Sequence, residues 1–99
     1  MVKNIVLLTW NEGVSQQQID AVTVGFCALS DEIPEIVSYT FGPDAGISIG
    51  NADYALVAEF RNESDLKAYV VRRSHQAFPK DIASPILASF SSAQFDMAD

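Results

Sequence analysis

The chain has 99 residues, of which 48% are hydrophobic and 19% charged, and its formal net charge is -7 at pH 7. This composition predicts one globular domain over residues 1–99 and excludes intrinsic disorder. The acidic excess argues against binding to nucleic acid or to anionic membranes, because both need a basic surface. The sequence holds no apolar run of membrane-spanning length and no signal-peptide pattern, so we predict a cytoplasmic protein.

The first predicted element is a strand over residues 1–10, MVKNIVLLTW, which is apolar on both of its alternating faces. Ser15 and Gln18 then have the spacing of a capping box, which predicts the start of a helix that Pro34 brings to an end. Cys27 lies within this helix and is expected to be a small buried residue. Four apolar residues recur at helical spacing and are expected to face the core: Ile19, Val22, Phe26 and Leu29.

The rest of the chain alternates turn signals with apolar stretches. Asn62 with Asp65 predicts the cap of a second helix that runs to about Ser74, and Pro79 and Pro85 bracket a short irregular piece. The remaining predicted elements are a strand over 35–42, a surface loop over 43–53, a strand over Tyr54–Phe60 and a final strand over Ser89–Met97.

The order of these elements is βαββαβ, which indicates an α+β protein with a ferredoxin-like fold. Its four-stranded antiparallel sheet carries both helices on one face. The first and third strands are apolar on both sides, so the uncovered face would expose a large hydrophobic patch on a monomer. We therefore expect a homodimer that packs sheet against sheet.

Patterns for metals and cofactors are weak in this sequence. The 43–53 loop contains Asp44 and Asp53 but lacks the spacing of a calcium-binding loop, and the single Cys27 cannot form a cysteine pair. No glycine-rich nucleotide motif is present. We expect neither a metal nor a cofactor.

His75 is the only histidine, and it follows the second helix. Five of the six Lys and Arg residues lie between positions 61 and 80, around it, so a small anionic ligand is compatible with this region. Helical spacing places Leu66, Tyr69, Val70 and Arg73 on one face, so the Tyr69 ring should point inward with its hydroxyl in need of a partner. Two interpretations remain open for His75: a general base near Tyr69, or a polar residue that ends the helix with Phe78 as its packing anchor.

Five segments together resemble a known family: VKNIVLLTW, GVSQQQID, the Gly-Pro-Asp turn at 42–44, YALVAEF and LKAYVVRRSHQAF. In order and spacing they are similar to the stress-responsive dimeric α/β-barrel (Dabb) family, and the resemblance covers essentially the whole chain. It implies a dimer in which two ferredoxin-like sheets close into a barrel, with a cavity between sheet and helices in each subunit.

Some members of this family resemble plant polyketide cyclases, which close rings by aldol-type chemistry without a cofactor. They use a histidine on the first strand, a tyrosine on the second helix and the last histidine of an HPxH segment. The tyrosine corresponds to Tyr69 and the last histidine to His75. Asn4 stands in place of the first-strand histidine, and the HPxH segment reads Arg-Arg-Ser-His over 72–75.

The resemblance thus implies a small, mostly apolar carbonyl or phenolic ligand, with acid-base catalysis by His75 and Tyr69. We assign four further residues to ligand binding: Asn4, Trp10, Arg73 and Phe78. The alternatives are a non-catalytic stress-response protein and a related dimeric-barrel monooxygenase.

Overall fold

The computed structural model describes residues 1–74 and 82–97. The chain order is β1 (Val2–Trp10), α1 (Gln16–Glu32), β2 (Ile36–Pro43), β3 (Tyr54–Phe60), α2 (Glu63–Ser74), a short 3-10 turn (Ser84–Ile86) and β4 (Leu87–Asp96). All strand pairs are antiparallel, and the sheet order is β2-β3-β1-β4. The predicted βαββαβ order and ferredoxin-like architecture are confirmed. Within the described ranges, no helix is both long and apolar enough to cross a membrane.

Both helices begin where the sequence predicts. The Ser15 hydroxyl accepts a hydrogen bond from the Gln18 amide at 3.2 Å, and the Gln18 side chain accepts one from the Ser15 amide at 2.9 Å. At α2, the Asn62 side chain accepts from the amide of Asp65 at 2.9 Å. These contacts satisfy backbone donors that a helix start leaves without partners, which fixes where each helix begins.

The two central strands separate two faces of the sheet. On β3 every second residue is buried, from Tyr54 to Phe60, and on β1 the buried positions are Asn4, Val6 and Leu8. These residues face the helices, and the apolar stripe of α1 closes over the same side of the sheet. The core therefore lies in a single layer between the sheet and the helices.

The other face of the sheet is open, as the double-sided apolar pattern predicted. Leu7 is 42% exposed, and Ile5 and Val57 beside it are only partly buried. At one end of this face Lys3 and Glu59 are 3.8 Å apart, a partly exposed ion pair on adjacent strands. The open face thus presents an apolar centre to the surroundings of the subunit.

The prediction that Cys27 is buried is wrong, and Val70, which helical spacing grouped with Tyr69, also lies at the surface. The Cys27 thiol is exposed, and Val70 is 37% exposed. Each follows a core aromatic, Phe26 or Tyr69, by one position, and one position turns a helix by about 100° away from the buried stripe. An apolar residue within either helix is therefore buried only if it lies on the stripe that faces the sheet.

Candidate functional site

The last turns of α2 carry two of the predicted site residues. Tyr69 is fully buried, and its hydroxyl lies 2.8 Å from the hydroxyl of Tyr39 on β2. Its ring packs against Phe60 with the ring centroids 5.0 Å apart. The Arg73 guanidinium lies over the same ring, 5.4 Å from its centroid, as a cation-π contact. The predicted inward orientation of Tyr69, with a partner for its hydroxyl, is confirmed.

Tyr39 is held in its protonated form. Burial raises the pKa of Tyr39 far above its ordinary value, and the nearby Tyr69 raises it further, while the charge of Arg73 opposes both effects. Removing the phenol from water disfavours the charged phenolate, which explains the direction of the shift. The hydroxyl of Tyr39 is therefore a neutral hydrogen-bond donor and acceptor throughout the physiological pH range.

A row of side chains crosses the helix-facing side of the sheet at the level of Tyr39. The strand register aligns Tyr39 with Ala58, Ala58 with Asn4, and Asn4 with Gln94 on β4. The Asn4 carbonyl oxygen accepts a hydrogen bond from the Gln94 amide at 3.2 Å, and Asn4 is only 2% exposed. The small side chain of Ala58 separates the tyrosine pair from the Asn4 amide, so the polar groups of this row share one layer of the core.

Trp10 lies at the other end of β1. Six residues along a strand span about 20 Å, so Trp10 cannot touch a small ligand that also touches Asn4. Its ring packs on Tyr54 at 5.7 Å, and its backbone amide donates to the Asp53 carboxylate at 2.8 Å. The structure brings Tyr69 and Arg73 together, places Asn4 in the same core layer as Tyr39, and sets Trp10 apart.

His75 and Phe78, the remaining predicted site residues, lie outside the described residues. The last described residue before them is Ser74, which ends α2. Their assignments as general base and ligand contact remain predictions.

Two residues near this site were missed from the sequence. Tyr39 could have been found, since alternation along β2 places it beside Phe41 on the core side and Tyr69 needed a hydroxyl partner. Glu35 lies just before β2, and its carboxylate is 2.9 Å from the Arg72 guanidinium. This ion pair joins the start of β2 to the end of α2, and only the folded chain brings the two residues together.

The described part of the surface includes two grooves. One, of about 480 Å³, runs along α1 between Val24 and Ile82, and the other, of about 350 Å³, lies between the loop after β2 and strands β1 and β4. Asn4, Tyr69, Trp10 and Arg73 line neither groove. A ligand at the tyrosine pair would therefore occupy neither of these two grooves.

The aspartates of the 43–53 loop act as hydrogen-bond acceptors within the fold. Asp44 accepts from the Gly46 amide and from the Asn51 side chain, while Asp53 accepts from Trp10. Across residues 1–74 and 82–97, no group of three or more His, Cys, Asp or Glu side chains is placed to hold a metal ion.

Comparison with solved structures shows close matches over nearly the whole chain. A dimeric ferredoxin-like protein of unknown function from Thermobifida fusca is 34% identical, with 97% of this chain and 90% of that chain covered and a TM-score of 0.86. A dimeric ferredoxin-like protein of unknown function from Bacteroides fragilis is 25% identical, with coverages of 97% and 95% and a TM-score of 0.80.

A more distant match shares the fold alone. It is a hydroxynitrile lyase from Passiflora edulis, 20% identical, with 99% of this chain and 94% of that chain covered and a TM-score of 0.83. No curated protein matches the sequence significantly. The family model described as the stress responsive A/B barrel domain, Dabb, matches residues 2–98. The chain therefore belongs to the Dabb family.

Proposed function

We propose that this protein is a cytoplasmic homodimer in which each subunit binds a small, mostly apolar carbonyl or phenolic compound beside the C-terminal end of α2. The Tyr39–Tyr69 pair donates a hydrogen bond to the ligand oxygen. His75 acts as general base and removes a proton from the carbon next to the carbonyl, without a cofactor. This is the proton transfer with which aldol-type chemistry begins.

The buried tyrosine pair carries this proposal. One hydroxyl donates a hydrogen bond to the other across 2.8 Å. The accepting hydroxyl therefore still has a proton to donate, and no acceptor for that proton is found among the described residues. The raised pKa of Tyr39 keeps its hydroxyl neutral. A neutral donor held in a nonpolar environment is suited to stabilise the negative oxygen of an enolate.

Neither Tyr39 nor Asn4 fits the role of this base. The Tyr39 phenol already carries its proton near neutral pH and so is no base there, and the Asn4 amide has no basic nitrogen. His75 has the only imidazole in the chain and follows the last residue of α2 in sequence. The protein from Passiflora edulis is consistent with this proposal, because it has a similar fold and is described as a hydroxynitrile lyase, which is an enzyme.

Support for the homodimer comes from the open face of the sheet. Leu7 is exposed there beside other apolar residues, and a second subunit would remove this face from water. The Thermobifida fusca protein, 34% identical over nearly the whole chain, is described as dimeric.

Proton exchange at carbon tests the catalytic proposal without knowledge of the natural substrate. The probe is 4′-hydroxyacetophenone, whose methyl protons exchange with D₂O and can be followed by NMR. We expect the protein to accelerate exchange, His75→Gln to abolish the acceleration, and Tyr69→Phe to reduce it about 10- to 100-fold. Tyr54→Phe is the matched control, because the Tyr54 hydroxyl bonds to Thr23 at 2.7 Å outside the proposed site, and it should keep the wild-type rate. Equal exchange in wild type and His75→Gln would refute His75 as the base.

One observation favours the non-catalytic alternative. Tyr69 is fully buried, and neither of the two surface grooves reaches it. A stress-response protein would use the tyrosine pair to hold α2 on the sheet. In that case the probe would exchange at the buffer rate, and Tyr69→Phe would lower only the free energy of unfolding.

A further inference from the structure

The loop between β2 and β3, residues 44–53, exposes two isoleucine side chains to solvent. Ile47 is 86% exposed and Ile49 is 104% exposed. Removing an isoleucine side chain from water is favourable, so two exposed isoleucines on one short loop are costly to leave uncovered. A pair of this kind on one loop is a candidate contact surface.

The loop is structured, so the isoleucines are presented in a defined place. The Asp44 carboxylate accepts from the Gly46 amide at 3.0 Å and from the Asn51 side chain at 3.1 Å. Gly46 and Gly50 flank the isoleucines with φ of 74° and 88°, a region that side chains disfavour. The loop therefore does not need to be ordered at the moment of contact, which lowers the entropic cost of binding.

The base of this loop borders the open face of the sheet. The groove of about 350 Å³ has Gly50, Asn51 and Ala52 on its loop side, and Leu7 and Thr9 of the open face on the other. Asp53 is tied to the end of β1, since its amide donates to the Leu8 carbonyl at 2.9 Å. Any molecule that covers the open face therefore meets this loop at its rim.

The open face alone is smaller than a typical dimer interface, so the loop at its rim is expected to add to the contact between subunits. Four strands of 7 to 10 residues make a flat footprint of roughly 19 by 28 Å, or about 530 Å². A standard stable interface buries about 800 Å² on each partner, so a face of this size needs more surface to hold a second subunit. The loop tip supplies apolar surface next to that face.

We propose that the 44–53 loop is a clamp between subunits, in which Ile47 and Ile49 pack against the second copy that covers the open face. This inference rests on the homodimer proposed above. In a two-fold symmetric dimer each subunit contributes one loop and receives the other, so the contact is made twice.

Isotope-filtered NMR on mixed dimers tests the clamp directly. Protein with ¹³C-labelled isoleucine methyl groups is mixed with unlabelled protein, and contacts between the two are recorded. We expect intermolecular signals from the δ methyl groups of Ile47 and Ile49. In a sample that is dimeric by sedimentation, signals only within one subunit, or none from these residues, would overturn the clamp while leaving the dimer intact. A protein that stays monomeric at every concentration would overturn both.

The dissociation constant of the dimer gives a second measurement. The double variant Ile47→Ser, Ile49→Ser removes four isoleucine contacts from the symmetric dimer and should raise this constant about 10,000-fold, at about a factor of ten for each contact. Val24→Ser is the matched control: Val24 is 68% exposed on α1, away from the open face, and its loss should leave the constant unchanged. An unchanged constant in the double variant would contradict the clamp. Exposed serines do not disturb the core, so both variants should fold.

Discussion

At the scale of single residues, the contact between Tyr39 and Tyr69 is what makes the site chemically distinctive. A hydroxyl buried in a core costs free energy unless it has a hydrogen-bond partner, and here each tyrosine satisfies the other. The pair still retains one donor proton. The same two groups can thus stabilise the fold and bind an oxygen atom of a ligand.

The raised pKa of Tyr39 predicts how stability depends on pH. An unfolded tyrosine ionises near pH 10, while burial holds the folded group protonated to higher pH. The stabilising contribution is therefore fully present below pH 10 and is lost as the pH rises beyond it, because only the unfolded chain then releases the proton.

The variant Tyr39→Phe isolates this effect. Above pH 10, the wild-type free energy of unfolding should fall more steeply than that of Tyr39→Phe, by about 1.4 kcal/mol per pH unit. Urea denaturation at pH 8, 9, 10 and 11 measures both proteins, and their curves should be parallel up to pH 9. Curves that stay parallel to pH 11 would show that the Tyr39 phenol ionises as easily in the folded protein as in the unfolded chain.

Residue spacing explains which parts of the site could be predicted. Tyr69 was predicted to point inward because helical spacing places it with Leu66, and both residues are buried. Alternation along β2 also places Tyr39 on the core side, but the contact between the two hydroxyls required knowledge of how α2 lies across β2, which no local pattern encodes. The separation of Trp10 from Asn4 was available from the sequence, since six strand residues always span about 20 Å.

At the scale of elements, strand β1 contributes one side to the core and the other side to the open face of the sheet. Its core side carries Asn4 in the row with Tyr39, while its open side carries Leu7. The alternation of the strand keeps these roles independent, because neighbouring residues point to opposite faces. A change on the open side should therefore alter assembly and leave the arrangement of the tyrosine pair unchanged.

Leu7→Lys tests the open side. A lysine there would place an unpaired charge in the subunit interface, which costs several kcal/mol, so the dissociation constant should rise at least about 100-fold. Sedimentation velocity over a dilution series measures it, with Val24→Lys on α1 as the control for the added charge. If Leu7→Lys dimerises as tightly as the wild type, the open face is not the interface.

Element boundaries were predictable where local chemistry defines them. The capping box of Ser15 and the proline at position 34 delimit α1 at Gln16–Glu32. The last strand begins at Leu87, two residues before its predicted start, because Leu87 pairs with Trp10 beyond an irregularity in the register. That pairing depends on the sheet as a whole and leaves no local signal.

At the scale of the whole molecule, the element order and the two-sided apolar strands were enough to predict the ferredoxin-like fold. Two helices can cover only one face of a four-stranded sheet, and Leu7 on the other face is exposed. The ligand site was less predictable, because it depends on contacts between α2 and β2 that are distant in sequence. Family resemblance identified Tyr69, and the structure added Tyr39.

Isothermal titration calorimetry with 4′-hydroxyacetophenone tests most directly whether the tyrosine pair binds a carbonyl or phenolic oxygen. The wild type should bind the probe, and Tyr39→Phe and Tyr69→Phe should each weaken binding about tenfold, the loss of one hydrogen bond of about 1.4 kcal/mol. Tyr54→Phe should bind like the wild type. Equal affinity in all four proteins, or no binding to the wild type at millimolar probe, would contradict the proposed site.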